Sequence, residues 1–494
     1  MSTIQQKIHE IFSELSIFRS TENESFFAGR NLPSFVKHFI LLKYTDPATG
    51  VVDEQAVSDY LEQKMPVDYS TINSRLLAGE SINMTTRFIV DVNLKQGQTL
   101  FEAPDAKIKN GVISPTLIED LRKRNVILTS GETWGNISIQ YVAPVGKKAG
   151  YTLMTEMKPF QPYKVDLNYY LSCREQFTTE EWIDVLIASM EYNPESFASQ
   201  ESKLEFISRL LPFVEANLNM IELGPKGTGK SYIYNNFSKH AWMISGGNTS
   251  RARLFYNKST KQYGVICHYD AVALDEIESF QFADPQEMQS ILKGYLEAGK
   301  AAVDNVLIQS EAGLVLMGNI LLTQELQPKQ SEYFRELPEM FRESATIDRF
   351  HAFIEGWLLP RLSTASILRG WTINAEYVST ILHQLRYASE YSQLFDDLVA
   401  AEEGADLRDT KAVRKVATAY SKLLFPHIRS IADVAEEDLD NFRQLYDEYC
   451  LQPAIRRRSI IRHQCHLIDP EFSDDMPIFE VYRPEGPLAT EHDE

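Results

Sequence analysis

The chain has 494 residues, of which 44% are hydrophobic and 24% charged, so it is long enough for several globular domains without disulfide or metal cross-links. The formal net charge of −20 excludes a protein that coats nucleic acid with its whole surface, although a basic channel inside an acidic assembly is compatible with it. The four cysteines form no C-x-x-C pair, and we find no signal peptide and no apolar run of membrane-spanning length. We therefore expect a cytoplasmic protein without a membrane partner.

The first block of the chain, residues 1–170, mixes helical and strand-like patterns. Its helix candidates are 4–18, 32–44, 53–63 and 114–124, and its strand candidates are 87–94, 136–142 and 151–157. We predict a mixed α/β accessory domain, which could bind DNA through scattered basic residues. Those residues are Lys107, Lys109, Arg122, Lys123 and Arg124.

A proline-marked linker, 158–163, separates this block from the rest of the chain. In residues 171–360, apolar strand-like runs alternate with helical patterns, which predicts an α/β fold built on a parallel sheet with helical crossovers. Residues 361–450 are mostly helical in pattern and are predicted to form a lid domain. The last segment, 451–494, starts with a basic stretch and ends in an acidic tail, 484–494, that we expect to be disordered.

The strongest motif is the run 224–231, which fits the phosphate-loop pattern G-x-x-x-x-G-K-[ST]. A strand candidate, 219–223, precedes it and a helix candidate follows it. Glycines let backbone N–H groups turn toward phosphate oxygens, and the helix N-terminus adds partial positive charge. We predict ATP and Mg²⁺ as ligands, with Lys230 on the β- and γ-phosphates and the Ser231 hydroxyl on the metal. The cofactor-binding residues are Gly224, Pro225, Lys226, Gly227, Thr228, Gly229, Lys230 and Ser231.

A second strand candidate, 269–276, ends in two adjacent carboxylates. Downstream of a phosphate loop, Asp275 is predicted to hold Mg²⁺, directly or through water. Glu276 is predicted to be the general base that polarises the attacking water. Adjacent acids at a strand end are common on protein surfaces. This pair indicates a nucleotide site only because a phosphate loop precedes it at this spacing. Together the two motifs predict ATP hydrolysis.

Three more residues are candidates for the catalytic machinery. Asn319 follows a third apolar strand candidate and is predicted to orient water near the γ-phosphate, although asparagine at a strand end is also a common turn former. Arg349 ends a helical run and suits an arginine finger that reaches a neighbouring subunit's γ-phosphate. Arg414 lies in a helix of the lid, where it either contacts the nucleotide as a second sensor or belongs to a solvated helix face.

This order of elements resembles AAA+ ATPases over residues 203–426. Two insertions make the chain resemble one group of these ATPases in particular. Replicative MCM helicases have similar insertions and direct them into a central DNA channel. The first insertion, comprising 246–253 and 258–264, precedes Asp275, and the second, comprising 295–300 and a predicted hairpin up to 312, precedes Asn319. If both point inward, they would contact DNA phosphates without reading sequence. The candidate DNA-binding residues are Arg251, Arg253, Lys258, Lys261 and Lys300, the last matching the DNA-facing hairpin lysine of MCM proteins.

Nearly the whole chain is similar to the Lon-related ATPases of BREX phage-defence systems, the BrxL family. Besides the phosphate loop, the similarity rests on SGETWG at 130–135, KPFQPY at 158–163, EEWID at 180–184, LLPFV at 210–214 and LLFPH at 423–427. The resemblance implies a homo-oligomeric AAA+ ring, a hexamer or a double ring, that binds DNA and acts with other phage-defence components.

Longer members of this family carry a C-terminal Lon-like protease domain with a Ser–Lys dyad. The segment after Pro426 is shorter than the roughly 100 residues that such a domain needs, and it contains no serine nucleophile motif that we recognise. We therefore expect no protease activity.

Two features of the last segment invite a functional interpretation. The basic run 454–458, with Arg462 and His463, could contact DNA or an acidic neighbouring subunit. His463, Cys465 and His466 offer three potential metal ligands, but zinc sites usually draw ligands from two separated pairs. We expect no metal there.

The sequence thus favours an ATP-hydrolysing AAA+ motor or clamp on DNA, with duplex DNA as the expected form, in anti-phage defence. The first alternative is a protein unfoldase or remodeller that works with a separate protease, because the aromatic–glycine–valine run 263–265 resembles an unfoldase pore loop. The second alternative is a nucleotide-gated scaffold with negligible turnover. Glu276 argues against that scaffold, since a protein without turnover need not keep the base.

Overall fold

The computed structural model describes residues 3–30, 32–46, 51–65, 71–93, 98–123, 131–146, 149–159, 165–247, 249–259 and 261–482. The chain divides into two compact units. The first comprises Met1–Val165 and Arg369–Tyr377, and the second comprises Asp166–Leu368 and Val378–Glu494. No helix in these described ranges is long and apolar enough to cross a membrane. Linker residues 160–163, Arg124 and the tail 484–494 lie outside the described residues.

Among the described residues up to 159, the chain forms six α-helices and six strands. They are α1 (Thr3–Phe12), β1 (Ser16–Arg19), α2 (Thr21–Ser25), α3 (Ser34–Lys43), α4 (Glu54–Lys64), α5 (Ile72–Leu77), β2 (Ile82–Asn93), β3 (Gln98–Ala103), β4 (Ile108–Ile113), α6 (Pro115–Lys123), β5 (Gly131–Val142) and β6 (Tyr151–Pro159).

The described residues in the middle of the chain add eight α-helices and nine strands. They are α7 (Leu167–Arg174), α8 (Thr179–Ser189), α9 (Gln200–Ile207), α10 (Leu211–Val214), β7 (Met220–Leu223), α11 (Lys230–Asn236), β8 (Ala241–Ser245), α12 (Arg251–Leu254), β9 (Tyr256–Asn257), β10 (Gln262–Tyr263), β11 (Ala271–Asp275), α13 (Pro285–Ala298), β12 (Lys300–Val303), β13 (Val306–Gln309), β14 (Gly313–Gly318), α14 (Ser344–Ile347) and β15 (Ala352–Glu355).

The remainder is mostly helical, in agreement with its sequence pattern. Its elements are β16 (Gly370–Ile373), α15 (Ala375–Leu385), α16 (Glu390–Leu398), β17 (Val399–Ala401), α17 (Leu407–Leu424), α18 (Leu439–Tyr446), α19 (Gln452–Ile468) and β18 (Phe479–Val481). β16 belongs to the first unit, although it lies in the range that the sequence assigned to the lid.

The first unit contains a closed five-stranded barrel in the order β2-β3-β4-β6-β5. β2 closes the barrel by pairing antiparallel with β5, and β4 and β6 pair parallel. Alternating side chains such as Phe88, Phe101, Ile137 and Met154 are fully buried and fill the core. The mixed α/β character predicted for this block is therefore present.

The predicted helix 4–18 is wrong in its second half. α1 ends at Phe12, and Ser13 has a positive φ of 43°, which a continuing helix does not allow. Residues Ser16–Arg19 then form β1, which pairs antiparallel with β16. The partner strand lies more than 350 residues away, so the local apolar spacing carried no sign of it.

The second unit is built on a five-stranded sheet in the order β15-β7-β14-β11-β8, with every neighbouring pair parallel. β7, β11 and β14 are buried along their whole length, as expected when helices cover both faces of a sheet. Because all five strands run in one direction, their carboxyl ends meet at one edge. The phosphate loop and both predicted acidic residues lie at that edge.

Candidate nucleotide-binding site

The phosphate loop runs from the end of β7 to the start of α11. Gly227 and Gly229 have φ angles of 86° and 80°, which side chains rarely adopt. A Cβ added at Gly224 would lie 2.7 Å from Gly356 Cα, so this glycine is required by a close backbone approach. At Gly227, which is exposed, an added Cβ would meet no atom within 4 Å, so the space beside the loop is open at this position.

Lys230 begins α11, with its side chain folded over the loop. Its Nζ donates to the carbonyl oxygens of Gly224 and Pro225 at 2.9 and 3.0 Å. Burial lowers the pKa of Lys230, and the Glu222 carboxylate opposes that shift. A bound phosphate would give this amino group a stronger, charged acceptor than the two carbonyls.

The structure brings the phosphate loop and the acidic strand end together. The Ser231 hydroxyl donates to Asp275 Oδ2 at 2.5 Å, and the backbone N–H of Glu276 donates to Asp275 Oδ1 at 2.9 Å. Asp275 is the last residue of buried β11, whereas Glu276 is exposed in a left-handed conformation with φ 55°. That backbone turn lets two adjacent carboxylates take different positions. One lies against the loop serine, and the other is free to contact solvent.

Asn319 lies just beyond β14, the strand next to β7. Its Nδ2 donates to Glu278 Oε1 at 2.6 Å, and the preceding Gly318 accepts a hydrogen bond from the Gly224 N–H at 3.2 Å. Asn319 is thus one residue from a backbone contact with the phosphate loop. Its predicted role as a sensor stays a prediction.

A buried ion pair contacts the phosphate loop and the strand that precedes it, and it was not predicted from the sequence. Arg209 donates from Nε and Nη2 to both carboxylate oxygens of Glu222, at 3.1 and 2.5 Å, and from Nη1 to the Thr228 carbonyl at 2.9 Å. The signal that could have found it is Glu222 itself, a lone acid inside the apolar strand MIEL. Such a residue needs a cationic partner.

The predicted arginine finger, Arg349, and the predicted second sensor, Arg414, have partners elsewhere in this chain. Arg349 Nε lies 3.1 Å from Glu297 Oε2, and its guanidinium also donates to the Ala345 carbonyl. Arg414 makes two hydrogen bonds to Asp396 on α16. Neither arginine hydrogen-bonds to the phosphate loop among the described residues. Their roles as finger and second sensor stay predictions.

The two basic insertions are joined to each other at Asp304. The second insertion is the predicted hairpin, formed by antiparallel β12 and β13, and Asp304 lies in its turn. Asp304 accepts from Arg251 on α12 and from Lys258 beyond β9, each at 3.3 Å. Arg251 also pairs with Glu287. The remaining three candidates are exposed and form no ion pair within the described ranges; they are Arg253, Lys261 and Lys300.

The expected contact of the C-terminal basic run with DNA or a neighbouring subunit is wrong for its two buried arginines, while Arg456 and His463 are exposed. Arg457 and Arg458 are only 3% and 1% exposed. Arg457 pairs with Glu205, and Arg458 pairs with Asp348 and Asp409. Arg462 joins Asp409 as well, and Arg456 pairs with Glu201 and Glu355. The positive charges of these arginines are therefore neutralised, within the second unit, by acidic residues that are distant in sequence.

The three C-terminal metal-ligand candidates have separate partners. His463 Nδ1 lies 2.8 Å from Asp474, His466 Nδ1 lies 2.7 Å from the Phe472 carbonyl, and Cys465 is buried. Burial raises the pKa of the Cys465 thiol to about 12. These three side chains do not form a cluster that could hold a metal within the described residues.

The comparisons with known proteins agree with this architecture. A family model described as "Lon-like protease BrxL-like, ATPase domain" matches residues 152–477. A second, described as "BREX system Lon protease-like protein BrxL N-terminal", matches residues 10–141. The chain therefore belongs to the BrxL family, and the predicted resemblance to that family is confirmed. The family model also supports the ATPase class.

Two curated relatives are both named Lon-like protease BrxL. The protein of Escherichia coli O9:H4 (strain HS) is 30% identical over 406 residues, which is 81% of this chain and 57% of the relative. The protein of Bacillus cereus (strain H3081.97) is 31% identical over 420 residues, which is 83% of this chain and 61% of the relative. The chain thus spans about three fifths of each relative's length. The expectation that it has no protease activity stays a prediction.

Proposed function

We propose that this chain is an AAA+ ATPase that binds ATP and Mg²⁺ at the carboxyl edge of its parallel sheet. The observation that carries the proposal is the contact between the Ser231 hydroxyl and the Asp275 carboxylate. In phosphate-loop ATPases these two oxygen donors hold Mg²⁺. Oxygen ligands suit that ion, and the open space beside Gly227 suits a phosphate.

Each residue of the site then has a defined task. Bound Mg²⁺ would neutralise charge that develops on the phosphates. Lys230 would exchange the Gly224 and Pro225 carbonyls for phosphate oxygens. Glu276, exposed beyond the strand end, would accept a proton from the attacking water. Asn319 would orient that water.

A steady-state ATPase assay with two variants tests this assignment. Lys230→Ala should lose nucleotide binding, whereas Glu276→Gln should keep binding and lose about 10²- to 10⁴-fold in turnover. Glu325→Gln, which changes an exposed glutamate on a loop, is the matched control and should behave like the wild type. Full turnover by Glu276→Gln would remove Glu276 from the role of base.

The proposal extends to DNA, on which ATP hydrolysis would clamp or translocate in anti-phage defence. Both basic insertions are present, and Asp304 joins them. On the hairpin, Lys300, Ala302, Leu307 and Gln309 are exposed while the opposite face packs into the core. The five-stranded barrel of the first unit adds support, since five-stranded barrels of the OB type bind oligonucleotides.

The first measurement for this part is the ATPase rate with and without duplex DNA, with Lys230→Ala as the blank. Stimulation that weakens as salt rises would support phosphate contacts in a working channel. Absence of both binding and stimulation at low salt would overturn the DNA assignment.

The DNA-bound form proposed is a homo-oligomeric ring, with Arg349 contributed across the subunit interface to the neighbouring nucleotide. Arg349→Ala should lose hydrolysis. Mixing it with Glu276→Gln should restore part of the turnover, because some interfaces would then combine an intact base with an intact arginine. No recovery at any mixing ratio would place Arg349 outside the neighbouring site.

One observation favours the alternative of a protein remodeller. Tyr263 is 52% exposed on the first insertion, beside Gly264. Tyr263→Ala should leave DNA-stimulated ATP hydrolysis intact if the chain acts on DNA. Loss of processing of a protein substrate alone would favour the remodeller.

A further inference from the structure

Three potential metal ligands converge at the sheet edge opposite the nucleotide site. His240 directly precedes β8, and Asp270 directly precedes β11. The two strands are paired, with Ala241 opposite Ala271, and the Asp270 N–H donates to the His240 carbonyl at 2.8 Å. The third ligand, His383, lies on α15. Because these positions are far apart in sequence, no local motif predicts that they lie together.

The side chains of these three residues are in direct contact. His383 Nδ1 lies 2.7 Å from Asp270 Oδ2, and the His240 and His383 rings are stacked with centroids 4.2 Å apart. One ligand atom from each residue can be chosen so that all three lie within 4.8 Å of one another. A tetrahedral zinc ion with ligands near 2.1 Å needs separations of about 3.4 Å. The three ligand atoms are therefore near enough for one ion, and binding would require the stacked imidazole rings to rotate until both point their lone pairs at it.

An unsatisfied atom indicates that the cluster is more than a hydrogen-bonded pair. His240 Nε2 is buried and has no hydrogen-bond partner, which is costly for a polar atom.

The nearest cationic side chain, Arg386, does not occupy the Asp270 carboxylate. Arg386 Nε lies 3.7 Å from Asp270 Oδ1, the oxygen that does not face His383. The Arg386 guanidinium is already held by the backbone carbonyls of Pro212, Glu215 and Glu311. It therefore competes only weakly for the carboxylate.

We propose that His240, Asp270 and His383 bind a divalent transition-metal ion of the zinc class. Two imidazoles and one carboxylate form a donor set that zinc proteins use, with a further position for water. The set differs from the all-oxygen ligands expected for Mg²⁺ at the nucleotide site. A bound ion would fasten α15 to the amino edge of the sheet, away from the nucleotide site, so this proposal is independent of the proposed function.

The test is a Co²⁺ titration of the chelator-treated full chain, followed by visible d–d absorption and by displacement with Zn²⁺. We expect one ion with tetrahedral absorption per chain. His383→Gln and Asp270→Asn should each weaken Co²⁺ affinity by at least about tenfold, since even loss of an outer-shell partner costs that much. His463→Ala removes an exposed histidine that also faces an aspartate, and it should not change the affinity.

A second readout separates binding from general damage to the fold. Zn²⁺ should raise the thermal midpoint of the wild type and of His463→Ala, and it should not raise that of His383→Gln. His383 is 30% exposed, so its replacement leaves the core intact. Absence of tetrahedral Co²⁺ absorption in the wild type, or equal affinity in His383→Gln, would overturn the metal site.

Discussion

Arg209 and Glu222 form a two-pronged ion pair in which neither side chain is exposed to solvent. Glu222 is the next-to-last residue of β7, and the phosphate loop follows that strand directly. Since Arg209 also donates to the Thr228 carbonyl, one guanidinium fixes both the strand and the middle of the loop. The loop therefore owes part of its shape to a pair of charges beneath it.

Breaking this pair should be costly for stability. Arg209→Met or Glu222→Leu alone leaves an uncompensated buried charge and should lower the free energy of unfolding by about 3–5 kcal/mol. The double variant removes both charges and should recover most of that loss, because an apolar pair needs no desolvation of ions. Urea denaturation monitored by tryptophan fluorescence measures the three variants.

Among the Arg209 and Glu222 variants, the affinity for ATP should not recover when the free energy of unfolding does. The double variant still lacks the contact to Thr228, so its loop should bind ATP more weakly than the wild type despite the recovered stability. A double variant as unstable as either single variant would show that the pair is not a self-contained unit.

The Ser231 hydroxyl should matter only when Mg²⁺ is present. Ser231→Ala removes an oxygen ligand, so Mg²⁺-dependent nucleotide affinity should fall about 10- to 100-fold, as expected for a contact to a charged group. Affinity measured with chelator should barely change. Ser259→Ala, an exposed serine on the first insertion, is the control for a fluorescent-nucleotide titration. An equal loss with and without Mg²⁺ would exclude metal ligation by Ser231.

Local motifs were enough to predict that the phosphate loop and Asp275 lie together at the end of parallel strands, while the roles of these residues stay predictions. Pairings between residues distant in sequence limited the rest. The phosphate loop and Asp275 are encoded in short runs whose chemistry is tied to backbone geometry. By contrast, the run containing Arg458 has the pattern of a basic surface, because Asp348 and Asp409, which neutralise it, lie far away in sequence. β1 was predicted as helix for the same reason, since β16 supplies its hydrogen bonds. Burial of a charge is decided by tertiary partners that a local pattern does not contain.

Asp304 should restrain DNA binding. Asp304→Asn frees Lys258 from its carboxylate and leaves Arg251 paired with Glu287 alone, while asparagine still tolerates the positive φ of 54° in the hairpin turn. Surface ion pairs of this kind are worth about 0.2–1 kcal/mol each, so affinity for duplex DNA should rise roughly two- to tenfold. The dependence on salt should steepen by up to about two phosphate contacts. Fluorescence anisotropy across a salt series measures both quantities.

Net charge alone must be separated from this local effect. Asp440→Asn makes the same change in charge at a 92% exposed carboxylate that pairs with Arg443 on α18, and it should leave DNA affinity unchanged. Equal gains in both variants would point to a general charge effect. No gain in Asp304→Asn would argue that the insertions face away from DNA.

His427 should make folding stability dependent on pH in the mildly acidic range. Its Nδ1 is buried without a hydrogen-bond partner, and burial, aided by Arg174, lowers the pKa of His427 from 6.5 to about 4. Above pH 6.5 the imidazole is neutral in both the folded and the unfolded chain, so its full contribution is present. As the pH falls below that value, the unfolded chain takes up the proton first, and stability is lost down to about pH 4.

The expected size follows from the difference between the two pKa values. Between about pH 7.5 and pH 5, protonation of His427 in the unfolded chain should lower the free energy of unfolding by about 2 kcal/mol. His427→Gln cannot titrate, so its stability should decline by that much less over the same interval. Urea denaturation of both proteins at the two pH values isolates this residue, because the other buried histidines are common to both. Parallel pH profiles would mean that His427 is protonated alike in the folded and unfolded states.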